Sequence, residues 1–450
     1  MRSLATLPAT LFLVLGLVLA TAAVAESSEP WPTFRGPRAA GVSQATGLPV
    51  DWDVATGHNV AWSTAIPGLG HSSPVTWGDR IFLTTAVADH EAAVVLGDAG
   101  GISVDQSEGH PHTWKLLAVD RKDGKVLWER DVYQGEPRTK RHVKSSQANS
   151  TPAADAEHVV AIFASQGMAA FDHDGKELWR VDLGVLDPGL FGDQSSQWGY
   201  ASSPVIFEDL VIVQVDRHRD SFLAAYDVST GKRVWKVDRD EKPVWSTPTL
   251  HTGGDRAELI VIGGDYDRGY DPRTGEELWR YARDYEVKTP TPFVADGKIV
   301  LSGGYRGQPI YALKVGGSGD LSSADGETGG ALAWKSEPGG PYTATPVAYG
   351  DHLFFVRDIG VLTVLSLADG SIVHRGRTES TYAASPVAGD GKVYLTGEEG
   401  LVTVVSAEKD FPVMATNDMG ESCMATPAIA GRTLLLRCRN HLWAIEAPAG

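Results

Sequence analysis

The chain is poor in cysteine and in positive charge, and it has one short apolar run. Two cysteines in 450 residues, Cys423 and Cys438, exclude a disulfide-dense scaffold and a zinc site built on clustered thiolates. Forty Lys and Arg against 57 Asp and Glu leave a net charge of −17. That balance opposes nucleic-acid binding, which needs basic groups to displace counterions from phosphate. It equally opposes simple docking on anionic lipid. No segment after residue 25 is long and apolar enough to span a bilayer, so no transmembrane span is expected in the mature chain. Gly-x-Ser-x-Gly elbows and phosphate loops are missing, as is any pair of adjacent cysteines.

What is present begins with an export signal. Arg2 supplies a positive start, Leu11–Ala20 an apolar core, and Ala23-Val24-Ala25 a cleavage site before Glu26. Residues 1–25 are therefore expected to be a signal peptide, and the protein to be secreted across the inner membrane into the periplasm or beyond. No cysteine follows the apolar core, so it is not expected to be a lipoprotein. In an oxidising compartment Cys423 and Cys438 can form a disulfide; their spacing leaves that and two buried free thiols equally open.

The remaining sequence is organised by a repeat. Ser/Thr-Pro followed by an apolar strand occurs eight times, with prolines at 74, 152, 204, 248, 292, 346, 386 and 427. A tight-turn glycine and then a tryptophan strand form a second mark, as in Asp174-Gly175-Lys176-Glu177-Leu178-Trp179 and Thr230-Gly231-Lys232-Arg233-Val234-Trp235. His374 and Met414 replace the tryptophan in two units. Each unit holds about four short strands and cannot bury both faces alone, and radial repetition solves that. The last unit ends one strand short, and the stretch around Trp62 supplies a tryptophan strand with no unit before it. These features predict an all-β, eight-bladed β-propeller of four-stranded blades over residues 58–450, closed by an N-terminal strand. Residues 26–57 form an N-terminal extension.

Ala225-Tyr226-Asp227-Val228-Ser229-Thr230-Gly231-Lys232-Arg233-Val234-Trp235, following Ser203-Pro204-Val205, resembles the repeat of quinoprotein-like propellers. That group includes the pyrroloquinoline quinone (PQQ) dehydrogenases and BamB-like exported propellers. Trp31-Pro32-Thr33-Phe34-Arg35-Gly36-Pro37 resembles the opening of the exported members. The resemblance covers residues 58–446. It implies a monomeric, non-catalytic binding or scaffold module with a protein or peptide partner in the envelope. Its alternative is a PQQ-dependent oxidoreductase or quinone-binding sensor, with calcium beside the quinone. No catalytic set is recoverable from the residues. Asp265-Tyr266-Asp267 with Glu276 has the outline of a calcium loop, but Tyr270 stands where glycine is required. His110-Pro111-His112 has no partner ligands at zinc spacing and reads as a solvated loop.

Residues just before each repeat proline are expected to ring the channel mouth. Three places before lie His71, Asn149, Ala201, Trp245, Thr289, Thr343, Ala383 and Met424; four places before lie Tyr200, Lys288, Tyr342 and Tyr382 among others. Trp128 and Trp179 are followed by long insertions, which should stand on the same face. One carries the basic run with Arg141, His142 and Lys144, suited to an anionic ligand or acidic partner. The other carries Trp198.

Overall fold

The structure, a computed structural model, describes residues 29–448 apart from 90–94, 98–109, 194, 284, 286, 306 and 323–329. The expected signal segment, residues 1–25, lies outside the described residues. The described chain forms eight sheets, seven of four strands and one of five, each running outward from an inner strand that follows a repeat proline. The sheets are antiparallel, and the fold is the expected eight-bladed propeller. Middle strands such as Leu210–Val215 are buried along their whole length because both faces meet neighbouring blades. Outer strands such as Arg233–Arg239 are largely exposed, with Trp235 partly covered.

Ring closure follows the expectation. Strand Val60–Ala65 pairs antiparallel with His441–Ile445, placing Trp62 opposite Ala444 and Thr64 opposite Leu442. The eighth blade is thus built from both ends of the chain, and no open edge remains between first and last blades. An extra strand in blade four departs from the four-stranded pattern. Gly319–Asp320, from the connection inside blade five, pairs parallel with the outer strand Glu277–Ala282.

The Ser/Thr before six of the eight prolines has a role that the repeat alone does not reveal. The Ser73 N–H donates to Thr151 Oγ1, Thr151 N–H to Ser203 Oγ and Ser203 N–H to Thr247 Oγ1, each at 3.0 Å. Thr291 N–H donates to Thr345 Oγ1 at 2.8 Å, Thr345 N–H to Ser385 Oγ at 2.9 Å, and Ser385 N–H to Thr426 Oγ1 at 3.0 Å. A short hydroxyl side chain in one blade thereby satisfies a buried backbone donor of the blade before it.

The outer tryptophans lock the blades at larger radius. Trp62, Trp128, Trp179, Trp235 and Trp334 each donate Nε1–H to a carbonyl of the next blade, at 2.7–3.2 Å. Each indole also lies under the turn glycine of that blade. At Gly231 the backbone is left-handed (φ +69°), and a Cβ would come within 2.6 Å of the Trp179 ring. Trp279 is different: its Nε1–H reaches Glu258 of its own blade at 3.0 Å.

The N-terminal extension packs across the ring. Trp31 exchanges hydrogen bonds with Thr76 of blade one, Ala154 N–H of blade two donates to Pro32 O, and Ser43 and Gly41 bracket Ala388 in blade seven. Arg35 is fully buried, with Nε on Ala39 O at 3.1 Å, Nη1 on Thr345 O and Pro386 O at 3.0 and 3.2 Å, and Nη2 on Ala40 O and Pro346 O at 3.2 and 2.6 Å. The bonds to Thr76, Ala154 and Ala388 fall two residues beyond the repeat prolines, so the extension closes the channel on the side away from the mouth.

Two outcomes test this account. Thr345→Val leaves the Thr291 N–H without an acceptor and should lower unfolding stability by about 1–3 kcal/mol in a urea titration; an unchanged midpoint would remove the hydroxyl ring from the argument. Gly231→Ala should cost about 2–4 kcal/mol, through left-handed strain and the indole contact. Gly57→Ala, equally left-handed but with nothing within 4 Å of its Cβ, should pay the backbone part alone, and equal losses would deny the indole contact.

Candidate functional site

The mouth encloses a cavity of about 880 Å³. All eight residues three places before the prolines line it, from His71 to Met424, as do all eight hydroxyl residues directly before the prolines. The repeat therefore builds the wall twice over: one residue faces the cavity and its neighbour two places on ties the blades together.

The aromatic side of the wall comes from blades three to seven and the second insertion. Trp198 and Trp245 stack with centroids 5.4 Å apart and planes 25° apart, and His142 meets Trp198 edge-on at 6.0 Å. Trp245 is held by its Nε1–H to Gly199 O at 2.8 Å. Tyr342 lines the cavity with Tyr305 tilted beside it at 5.6 Å. Burial pushes the Tyr342 hydroxyl up to about 12, so it remains a neutral donor at physiological pH. Tyr382 also lines the cavity and is raised for the same reason.

The basic run is mostly neutralised by the protein's own acids. Lys144 Nζ lies 2.6 Å from Glu398 Oε1 and 2.7 Å from Gly97 O, and Glu398 is buried. That pair joins the first insertion to blade seven. Arg138 reaches Asp182 at 3.1 Å. Asn149 donates to Ser145 Oγ at 2.7 Å and to Tyr200 O at 3.2 Å.

Three of the residues expected at the mouth are placed elsewhere. Tyr200 is buried and donates its hydroxyl to Gln214 O at 2.5 Å. Lys288 is fully buried, with Nζ on Gly263 O at 2.7 Å and Asp267 Oδ1 at 3.5 Å, in a network that includes Arg283. Both lie four places before a proline. Arg141 is buried, donates Nη1–H to Ser145 O at 2.5 Å, and borders a separate cavity of about 410 Å³ with His112 and Arg439. Cys423 and Cys438 are joined in a disulfide with Cα atoms 4.0 Å apart, at the mouth end of blade eight.

Phe34, in the extension that closes the far side of the cavity, and Tyr305, Arg357 and Glu398 at the mouth were not among the expected residues. Tyr305, Arg357 and Glu398 sit in or beside the turn after the second strand of their blades. That turn returns to the face where the inner strand begins, so counting two strands from each proline finds it. Five polar groups on the cavity wall have buried atoms with no hydrogen-bond partner among the described residues: Ser73 Oγ, Trp198 Nε1, Thr343 Oγ1, Tyr382 OH and Arg357 Nε. No group of three or more His, Cys, Asp or Glu among the described residues is placed to hold a metal. Asp267, part of the supposed calcium outline, is taken by Arg283 at 2.7 Å.

His71 carries an electrostatic signature. Burial, followed by the charges of Arg141, Arg437 and Arg439, pushes its imidazole down to about 3. In the unfolded chain the group protonates near pH 6.5. Between those values the unfolded state binds the extra proton, so stability is full above pH 6.5 and falls as pH drops through the window. His71→Asn should flatten that acid limb, removing a slope of up to about 1.4 kcal/mol per pH unit between pH 6 and 4. Coincident wild-type and variant profiles would contradict a neutral His71.

Comparison with known proteins places the architecture. The family model described as outer membrane protein assembly factor BamB matches residues 110–185, 148–374 and 219–450. No curated protein sequence matches the chain. Similar solved structures include a europium-containing methanol dehydrogenase, with TM-score 0.62 and 13% identity over 91% of this chain and 89% of that one. A quinohemoprotein alcohol dehydrogenase from Pseudomonas putida HK5 aligns with TM-score 0.60 and 11% identity, over 94% and 81% of the two chains. BamB from Moraxella catarrhalis aligns with TM-score 0.46 and 16% identity, over 76% and 97%.

Proposed function

The chain belongs to the outer membrane protein assembly factor BamB family, and within it we propose an exported ligand-binding propeller whose mouth takes a planar aromatic small molecule of the quinone class. The observation that carries this reading is the set of buried, unpartnered polar groups on an aromatic cavity wall. Trp198, Thr343, Tyr382 and Arg357 each keep a buried atom without a partner, and such atoms are costly to bury unless a ligand completes them. A cavity of about 880 Å³ suits a small molecule better than a folded partner surface. The stacked Trp198 and Trp245 offer a flat face to an aromatic ring. Two similar folds being dehydrogenases, one of them a quinohemoprotein, supports the quinone class.

A calcium-held quinone does not fit these residues. Glu398 is engaged by Lys144 and by Gly97 N–H, Asp358 stands alone on the wall, and no third acid joins them among the described residues. A hard cation needs six to eight oxygen ligands with several carboxylates. No redox step is therefore assigned, and the reading is a quinone-binding sensor or carrier.

Titrating the purified chain with PQQ, with and without calcium, tests it through tryptophan fluorescence. Saturable quenching independent of calcium is expected, and Trp245→Ala should weaken it by about tenfold, the loss of one aromatic stack. Absence of quenching would overturn the reading. Family membership favours a second one, an envelope protein partner at the same face; a protein cross-linked at Trp198 in a chain that ignores PQQ would establish that instead.

A further inference from the structure

Two Lys or Arg side chains line the mouth among the described residues, Lys144 and Arg357. Lys144 is held by Glu398 at 2.6 Å. Arg357 is half-buried and begins the turn after the second strand of blade six, His352–Val356. Its Nε is buried, and its guanidinium makes no hydrogen bond or ion pair among the described residues. Guanidinium groups elsewhere in the interior are better provided for. Arg35 reaches five carbonyl oxygens, and Arg239 is gripped by both oxygens of Asp216 at 2.8 and 3.0 Å.

The backbone under this side chain is fixed. Arg357 N–H donates to Val361 O at 3.0 Å, and Gly360 N–H to Arg357 O at 2.9 Å, closing the turn. Tyr382 N–H, on the approach to blade seven, donates to Asp358 O at 3.1 Å and ties the turn to the next blade. The charged end borders open space. Arg357 Nη2 lies beside Gly307, another lining residue in the left-handed region (φ +66°), where a Cβ would sit 3.5 Å from it. The one acid on the wall among the described residues, Asp358, raises the Tyr342 hydroxyl and forms no ion pair with Arg357. Beneath the floor, Arg35 follows the lining residue Phe34 and donates to the carbonyl of the lining residue Thr345 at 3.0 Å. Its partners are neutral carbonyls, and burial pushes it down to about 9, so its charge is offset by no acid. Both arginines therefore make the cavity favourable to a negative group.

We propose that the mouth selects its ligand by an acidic group: Arg357 receives a carboxylate carried on the aromatic ligand, which makes the ligand class planar aromatic carboxylic acids. This rests on the reading of the mouth as a small-molecule site and names the polar end of the molecule that enters it. A guanidinium presents paired donors in one plane, matching the two oxygens of a carboxylate. Entry strips water from the carboxylate, and the charge-assisted bonds to Arg357 replace it. A neutral aromatic ligand of the same shape leaves the guanidinium without a partner.

Calorimetric titration of the full chain compares naphthoate with its neutral isostere naphthamide. The wild type should bind the acid about tenfold more tightly, the worth of one charge-assisted contact. Arg357→Gln should bring the acid down to the level of the amide and leave the amide unchanged. Because the guanidinium has no partner to lose, this variant is expected to fold. Arg357→Lys keeps the charge without the fork, should retain only part of the preference, and carries the test if the glutamine variant does not fold. Acetate at the naphthoate concentration should not displace it; displacement would assign Arg357 to small free anions and overturn the proposal. Equal affinity of the wild type for acid and amide, a preference that survives Arg357→Gln, or no binding of either compound would overturn it as well. PQQ quenching on the same samples separates the two readings. Quenching without a preference for the acid removes this proposal alone, and absence of both removes the small-molecule site with it.

Discussion

The propeller depends on directional bonds between blades at two radii. Apolar contact between adjacent sheets supplies most of the driving force for folding, but it is non-directional and would tolerate sliding of one blade over the next. At the inner radius, a hydroxyl beside six of the eight repeat prolines accepts the backbone N–H of the preceding blade. At the outer radius an indole N–H bonds to the following blade and its ring packs under a turn glycine. Where both are present, they fix a blade in height and rotation against its neighbour. The cavity wall inherits that precision, because its residues lie two places from the hydroxyl ring.

Much of the fold was legible because the repeat is structural. The Ser/Thr-Pro and glycine-tryptophan marks give blade number, strand order and the role of Trp62 in closure. Their physical cause was not legible, since each mark acts on a neighbouring blade rather than its own. The site was read in part. Counting back three residues from each proline places the whole set on the cavity, from His71 to Met424. Counting four fails for Tyr200 and Lys288, which are buried in the wall's own hydrogen bonds, although Tyr342 and Tyr382 reach the cavity. Arg141 illustrates a different limit: a basic residue in a long insertion gives no sign of whether it faces ligand or packs inward.

Electrostatics separates the mouth from the rest of this acidic molecule. Lys144 is balanced by Glu398, and the interior of blades three and four carries matched pairs such as Asp216–Arg239 and Asp267–Arg283. Such pairs offset the desolvation of each charge, and breaking one leaves a buried ion alone. Arg437, behind His71, is the exception, with both Nη atoms buried and without a hydrogen-bond partner among the described residues. It lies in the blade made from both chain ends, and the disulfide between Cys423 and Cys438 holds the backbone on which Arg437 and Arg439 sit.

The closing strand has a consequence for when the protein can become native. Strand Val60–Ala65 precedes its partner His441–Ile445 by all the strands of the other seven blades. The extension around Arg35 likewise waits for the carbonyls of Thr345, Pro346 and Pro386. Contacts of such sequence separation form slowly, since loop closure precedes any reward. A chain emerging from a ribosome or a membrane pore therefore holds the eighth blade open until His441–Ile445 is free. The topology delays completion of the fold, which is the condition a polypeptide must meet to be threaded through a narrow translocation channel.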